Sequence, residues 1–276
     1  MTESGYSSGY SSDEFDCDQY FKSELVRFKR SFKVLSLMIK SANGTLYNGI
    51  NRATKKTVVI KNIPKKSKNL VWMKNNDRRV PAEIKFHQIA TSASKQAVEL
   101  IDFFEQKNTF IMILEKPENS IDLLEFVNTY GALDFEIAKQ IVKSVATSCY
   151  EFQAAGISHR DIKDENILFN PSTGDIKIID FGCATKSDST QASGTLAYFP
   201  PEMKSNSDID IESATVYSLG CLLYTLLTGS SPFSSESDFD FTKNITLNSS
   251  LSSQERKLLS KLLNPISANR PTLVDL

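Results

Sequence analysis

A chain of 276 residues, 40% of them hydrophobic and with a formal net charge of -1, suits one large domain or two small lobes and argues against a dedicated nucleic-acid binder. The four cysteines, Cys17, Cys149, Cys183 and Cys221, are widely spaced and form no C-x-x-C pair, so free thiols in a reducing compartment are expected. With His87 and His159 as the only histidines, no zinc site is expected. The first twenty residues carry acids but no lysine, no arginine and no apolar core, and no uninterrupted apolar run approaches the ~20 residues of a membrane span. Neither a secretory signal nor a span is expected, and the chain reads as intracellular, in the cytoplasm, the nucleus or both.

Residues 1–31 read as a separate segment. Ser4 to Ser8 is repeated at once as Ser8 to Ser12, and Asp13, Glu14, Asp16 and Asp18 follow. Serine, glycine and acids cannot bury enough surface to offset ordering entropy, so a disordered tail is expected. Ser11 and Ser12 precede acids. They are either sites for an acid-directed kinase or part of a solubilising tail.

From Phe32 to Ile63, short apolar runs are split by turns at Asn43-Gly44 and at Asn51 to Lys56, which predicts β-strands. A lysine-rich linker, Lys65 to Arg79, leads to a predicted helix from about Val80 to Thr91. Further strands are predicted near Val98 to Phe104 and Phe110 to Glu115. After Glu118 the pattern turns helical, first over Ile121 to Tyr130. Phe135 to Ala155 follows, with Ile137, Ile141, Val145, Cys149 and Phe152 forming a stripe at steps of four and three and Gly156 at its C-cap. Ser213 to Thr228 is apolar almost all round and predicts a buried core helix. Ser252 to Leu263 is the last helix. Strands first and helices later predict an α+β protein of two lobes. The β-rich lobe covers about 32–115, the joint about 115–118 and the helical lobe about 119–276, with a site between them.

Chemistry concentrates in His159 to Gly182, HRDIKDENILFNPSTGDIKIIDFG. Asp161, Lys163 and Asn166, then Asp180 before Phe181-Gly182, follow the order H-R-D-x-K-x-x-N and D-F-G, the signature of protein kinases. Loop polars that cap a helix or turn a hairpin could explain any one of these residues, but not the set in this order. Phosphoryl transfer is mostly positioning and charge neutralisation. Asp161 is expected to accept or orient the hydroxyl proton, and Lys163 to offset charge on the transferred phosphate. Asn166 and Asp180 supply the oxygen ligands that Mg2+ takes.

Val58-Val59-Ile60-Lys61 matches the V-A-I-K strand, so Lys61 is expected on the nucleotide's phosphates, with Glu83 on the following helix as its partner. The stretch Met38, Ile39, Lys40, Ser41, Ala42, Asn43, Gly44, Thr45, Leu46 is expected to cover the nucleotide. The pattern G-x-G-x-x-G-x-V falls there on Ile39, Ser41, Gly44 and Leu46, so only the third glycine remains. Weaker nucleotide binding or slower transfer could follow. At the joint, Glu115 can offer adenine a carbonyl, but Pro117 has no N–H to give. Adenine is then expected to rest on apolar walls at Met38, Leu46, Val59, Leu114, Leu168 and Ile179. Downstream, Gly194 to Glu202 reads GTLAYFPPE, with Thr195 expected to bond Asp161 and Lys163 and Glu202 to pair with Arg270. Phosphate on Thr185, Ser187, Ser189, Thr190 or Ser193 could pair with Arg160 and order this segment, or it could be ordered without phosphate.

These residues resemble the Pim family of serine/threonine kinases over about residues 32–276. The features that carry the likeness are the hinge proline in Glu115-Lys116-Pro117-Glu118, Arg79-Val80-Pro81 before the Glu83 helix, Asp164 where most kinases have proline, and Pro200-Pro201-Glu202. Thr215 stands where many kinases have an aspartate that anchors the catalytic loop, and Pim kinases also lack it. The resemblance implies a bilobal kinase fold with ATP and Mg2+ as cofactors. It implies γ-phosphate transfer to Ser/Thr of protein substrates with basic residues before the target, matched by Glu165 and by Asp122 and Glu125, which are either part of that match or ordinary helix-surface charge. It implies a monomer with no nucleic-acid or membrane partner. A scaffold with weak or no turnover is the alternative that the degraded glycine loop suggests.

Overall fold

The computed structural model describes residues 17–41, 44–65, 70–73, 78–190, 193–205, 209–233, 245 and 247–276. The chain enters as a helix where a tail is expected. In α1 (Cys17–Ser31), Asp18 lies in the first turn and Lys29 and Arg30 in the last, each matched to the helix dipole. Its Phe28 is buried and packs at 5.4 Å, edge-on, against Phe104. Arg27 reaches Asp102 at 2.8 Å and the Phe103 carbonyl at 2.9 Å, and its guanidinium lies 4.0 Å from the Phe104 ring centre. The expectation of disorder through residue 31 therefore fails over Cys17–Ser31. The low-complexity composition ends before Tyr20, and Leu25 and Phe28 supply the apolar surface that Ser4 to Ser12 lack. The serine repeat, with Ser11 and Ser12, lies outside the described residues.

Five antiparallel strands follow in the order β1-β2-β3-β7-β6. They are β1 (Phe32–Ser41), β2 (Gly44–Asn51), β3 (Thr57–Pro64), β6 (Leu100–Glu105) and β7 (Thr109–Glu115). Alternation along the central strand divides the lobe's core in two. Val58 and Ile60 join Phe28, Phe104 and Ile113 under α1. Val59 and Ile63 face the other way, with Met112, Leu114 and Ile84. The expected lysine-rich linker holds a hairpin, β4 (Leu70–Met73) with β5 (Arg78–Pro81). Its pairing at Pro81 delays the next helix, α2 (Ala82–Ala93), by two residues relative to expectation.

The second lobe is helical around a small sheet. Its elements are β8 (Ile121–Asp122), α3 (Leu123–Tyr130), α4 (Phe135–Ala154), β9 (Ile157–Ser158), β10 (Ile167–Phe169), β11 (Ile176–Ile178), β12 (Thr185–Lys186), α5 (Ile211–Thr228) and α6 (Ser253–Leu262). On α4 the stripe Ile141, Val145, Cys149, Phe152 is buried, but Ile137 is 47% exposed. Ala138, one residue further round the helix, takes the inward position. α5 is capped by Asp210, which accepts from the Glu212 and Ser213 N–H groups. By length and composition α5 could cross a membrane, yet 72% of it is buried inside the lobe. The result is the expected α+β architecture of two lobes.

Candidate active site

Between the lobes lies a cavity of about 310 Å³. Met38, Leu46 and Val59 line it from the sheet, and Leu168 and Ile179 from the helical lobe. Leu114, Glu115, Lys116 and Pro117 close the side where β7 runs into the joint. The six apolar walls expected from sequence all line this space. Val98, His87 and Ser120 line it too, and sequence reasoning missed them. Nothing local marks Val98, which reaches the cavity because its N–H bonds the Ile178 carbonyl at 2.9 Å.

Charge gathers at the inner end. Register opposite Leu46 and Met112 turns Lys61 inward from β3. Its Nζ lies 2.5 Å from Glu83 Oε1 on α2 and 3.0 Å from Asp180 Oδ1. Burial alone would lower the Lys61 pKa, but the two carboxylates, by charge and hydrogen bond, raise it well above the ordinary lysine value. Burial works the other way on Asp180, and the Lys61 ammonium outweighs it, so that carboxyl is held below its usual range. Asp180 has a left-handed backbone, φ 60°, and accepts the Gly182 N–H at 3.2 Å. A Cβ at Gly182 would lie 3.1 Å from Asp180 Oδ1, so glycine lets that turn close.

The catalytic-loop carboxylate is held from two sides. Asp161 Oδ1 accepts from Thr195 N at 2.9 Å and Thr195 Oγ1 at 2.7 Å. Asp161 Oδ2 accepts from Asn166 Nδ2 at 3.0 Å, which also donates to the Asp161 carbonyl at 2.8 Å. His159 Nδ1 accepts the Asp161 N–H at 3.2 Å, so its Nε2 donates to the Ile179 carbonyl at 3.0 Å. That neutral tautomer agrees with burial lowering the His159 pKa. The expected Thr195–Lys163 bond is not formed. The Thr195 hydroxyl spends its proton on Asp161, and Lys163 pairs with Glu165. Burial alone would lower the Lys163 pKa, but Glu165, Asp161 and Asp164 raise it on balance. Glu202 and Arg270 do pair, through two bonds of 2.6 and 2.7 Å, with the Arg270 side chain fully buried.

The nucleotide-covering stretch divides. Met38, Ser41 and Leu46 line the cavity. Ile39 is 59% exposed, Lys40 is exposed, and neither lines it; nor do Gly44 and Thr45. Ala42 and Asn43 lie outside the described residues. Gly44 adopts φ 145°, and a Cβ there would come within 2.5 Å of the Asn62 carbonyl oxygen. Close backbone packing thus accounts for the one glycine that remains. Across the joint, Lys116 donates to Asn48 Oδ1 at 2.6 Å and Lys177 to Glu115 Oε2 at 2.8 Å, contacts between elements far apart in sequence.

Comparison with known proteins agrees with this geometry. The protein kinase domain family matches residues 35–276. The chain is similar to serine/threonine-protein kinase pim-2 of Danio rerio, 33% identical over 258 residues, covering 89% of this chain and 83% of that protein. It is similar to serine/threonine-protein kinase prk-2 of Caenorhabditis elegans, 31% identical over 215 residues, covering 77% of this chain but only 48% of that one. Among solved structures it resembles Rad53 1-466 in complex with AMP-PNP, with a TM-score of 0.69 and 26% identity, covering 89% of this chain and 64% of that one. ATP is the nucleotide this family uses. By its family match and its relatives, the chain belongs to the protein kinase family and is a serine/threonine protein kinase.

Proposed function

We propose that the cleft binds ATP with Mg2+ and transfers the γ-phosphate to serine or threonine in protein substrates that carry basic residues before the target, a Pim-like preference. One observation carries this reading. Lys61, Asp180 and Asn166 line one apolar cavity, where Lys61 bonds Asp180 at 3.0 Å, and Asn166 ties Asp161 to its edge through bonds of 2.8 and 3.0 Å.

Asp161, clamped by Thr195 and Asn166, orients the acceptor hydroxyl and takes its proton. Lys61, kept charged between Glu83 and Asp180, meets the nucleotide's phosphates. Lys163 offsets charge on the group in transfer. The donors fit a hard cation: Asp180 is a carboxylate held deprotonated, and Asn166 commits its Nδ2 to Asp161, which leaves its amide oxygen as a donor. Magnesium held there supplies charge neutralisation of the phosphates. At the hinge, Pro117 gives no N–H, so adenine forgoes a hydrogen bond of about 0.5–1.5 kcal/mol and leans on the apolar walls. Exposed Glu165 and Glu125 support a basic substrate; Asp122 supports it less, because it caps α3 by accepting the Glu125 N–H at 2.8 Å.

The test is transfer from Mg-ATP to paired peptides, one with arginines before the serine and one neutral. The basic peptide is expected to be preferred, and Asp180→Asn to lose on the order of 100-fold or more in rate. Equal rates for wild type and Asp180→Asn would sink the enzyme reading in favour of the scaffold.

A further inference from the structure

Both residues that hold the Asp161 carboxylate, Thr195 with two bonds and Asn166 with one, sit at short turns. Thr195 immediately precedes the turn Leu196–Tyr198, and Asn166 closes the turn Asp164–Asn166. These two turns are joined directly. Tyr198 and Asp164 are 8% and 6% exposed, and the Tyr198 hydroxyl donates to Asp164 Oδ1 at 2.9 Å. The same oxygen accepts the Glu165 N–H at 3.0 Å.

Tyr198 is also the route by which α5 reaches the catalytic loop. Ser218 Oγ on α5 lies 3.0 Å from the Tyr198 carbonyl and 3.2 Å from the Ala214 carbonyl of its own helix, and shares its proton between them with Tyr198 the nearer. Thr215, one turn earlier on the same helix face, spends its hydroxyl on the Ile211 carbonyl of its own helix at 2.8 Å. Among the described residues, no side-chain hydrogen bond runs from α5 to the stretch His159 to Asn166. The connection passes from Ser218 to Tyr198 and from Tyr198 to Asp164.

We propose that Tyr198 and Asp164 are positioning residues. Their buried hydrogen bond locks the two turns together, and with them the Thr195 and Asn166 donors that aim the Asp161 carboxylate. This rests on the reading of Asp161 as the group that meets the acceptor hydroxyl. Neither side chain lines the cavity between the lobes, and the pair acts chiefly through Asp161, so its loss lowers turnover more than nucleotide affinity, which feels it only through Asn166. Removing the phenol hydroxyl would also leave a buried carboxylate with one fewer donor, and the turn would shift to find another.

The experiment compares wild type, Tyr198→Phe and Asp164→Asn in the full chain. Tyr198→Phe removes one hydroxyl and is expected to lower kcat about tenfold, the rate equivalent of a hydrogen bond to a charged group. KM for ATP and the affinity for a fluorescent ATP analogue are expected to stay within about twofold. Asp164→Asn keeps an oxygen acceptor for the phenol and is expected to retain most of the wild-type rate. A second readout needs no turnover. Amide hydrogen exchange at Thr195 and through Leu196 to Tyr198 is expected to speed up in Tyr198→Phe while α4 and α5 stay protected. Unchanged kcat with unchanged exchange overturns the proposal. So does a kcat loss matched by equal losses of ATP affinity and of protection in α5, which would mark general loosening. If the wild type transfers no phosphate, the enzyme reading fails on its own, and the exchange arm alone decides whether this bond holds the two turns.

Discussion

Acidification offers a direct test of how the inner cleft is packed. His87 lies on α2 one turn beyond Glu83 and is 1% exposed. Its Nε2 is 2.8 Å from the Val98 carbonyl and its ring 4.7 Å from Phe181. Burial pushes its pKa from 6.5 down to about 4; the Val98 carbonyl and Asp180 pull it up, and Lys61 and His159 push it further down. Between these two values the unfolded chain carries a proton that the folded chain lacks. The contribution is therefore fully present above the unfolded value and is lost as pH falls from 6.5 toward about 4. At about pH 5 the loss amounts to ~2 kcal/mol, and near pH 4 to ~3 kcal/mol. For a chain of this size ~2 kcal/mol lowers Tm by about 4–8 °C. His87→Leu removes the titration along with the Val98 hydrogen bond. It is expected to be less stable by ~1 kcal/mol near pH 7.5, yet to lose less Tm on acidification. His159, also buried and shifted the same way, is present in both proteins, so its own burial cancels in the comparison and only its repulsion with His87 goes with the substitution. Circular dichroism melts of both at about pH 7.5 and about pH 5, at constant ionic strength, decide the matter. Equal drops in Tm would show that the His87 site takes up a proton without penalty, and the packing argument would be wrong.

Two further outcomes test the framework around the site. Arg270→Ala strips Glu202 of its bidentate partner and leaves the Ser213 and Asn264 carbonyls without the guanidinium. The expected loss is about 3 kcal/mol in urea unfolding, the lower end for a broken buried pair because Glu202 keeps 22% side-chain exposure. A loss below about 1 kcal/mol would place the pair among surface bridges. Phe28→Ala deletes the ring that packs on Phe32 and Phe104, at a cost of about 3 kcal/mol. Hydrogen exchange should rise over α1 while α4 and α5 stay protected; unaltered protection in α1 would mean that Arg27 and Glu24 hold the helix without it.

Much of the molecule was legible from local order along the chain. Asp161, Lys163, Asn166 and Asp180 stand at fixed spacings because one loop and one hairpin must present them together. The apolar walls and the Glu202–Arg270 pair, 68 residues apart, could be read only through the kinase motifs that these residues match. Period-two and period-3.6 patterns placed most strands and helices, because side-chain direction follows directly from backbone repeat. What escaped depends on partners distant in sequence. α1 is a helix here because Phe28 finds Phe104 and Arg27 finds Asp102, and the composition of the tail gave no hint of either. The hairpin of β4 and β5 lay hidden in a lysine-rich stretch, since strand pairing is a property of two segments rather than one. Ile137 fell outside the stripe because a helix face is defined by what packs on it.

Residue type and spacing carry the family, the two-lobed architecture and the identity of the charged groups. Which donor meets which acceptor depends on the packed fold. Thr195 serves Asp161 and not Lys163, Lys163 turns to Glu165, and Tyr198 reaches Asp164. A hydroxyl gives its one proton to the acceptor nearest in space, and an ammonium turns to the nearest carboxylate, whatever the distance along the chain.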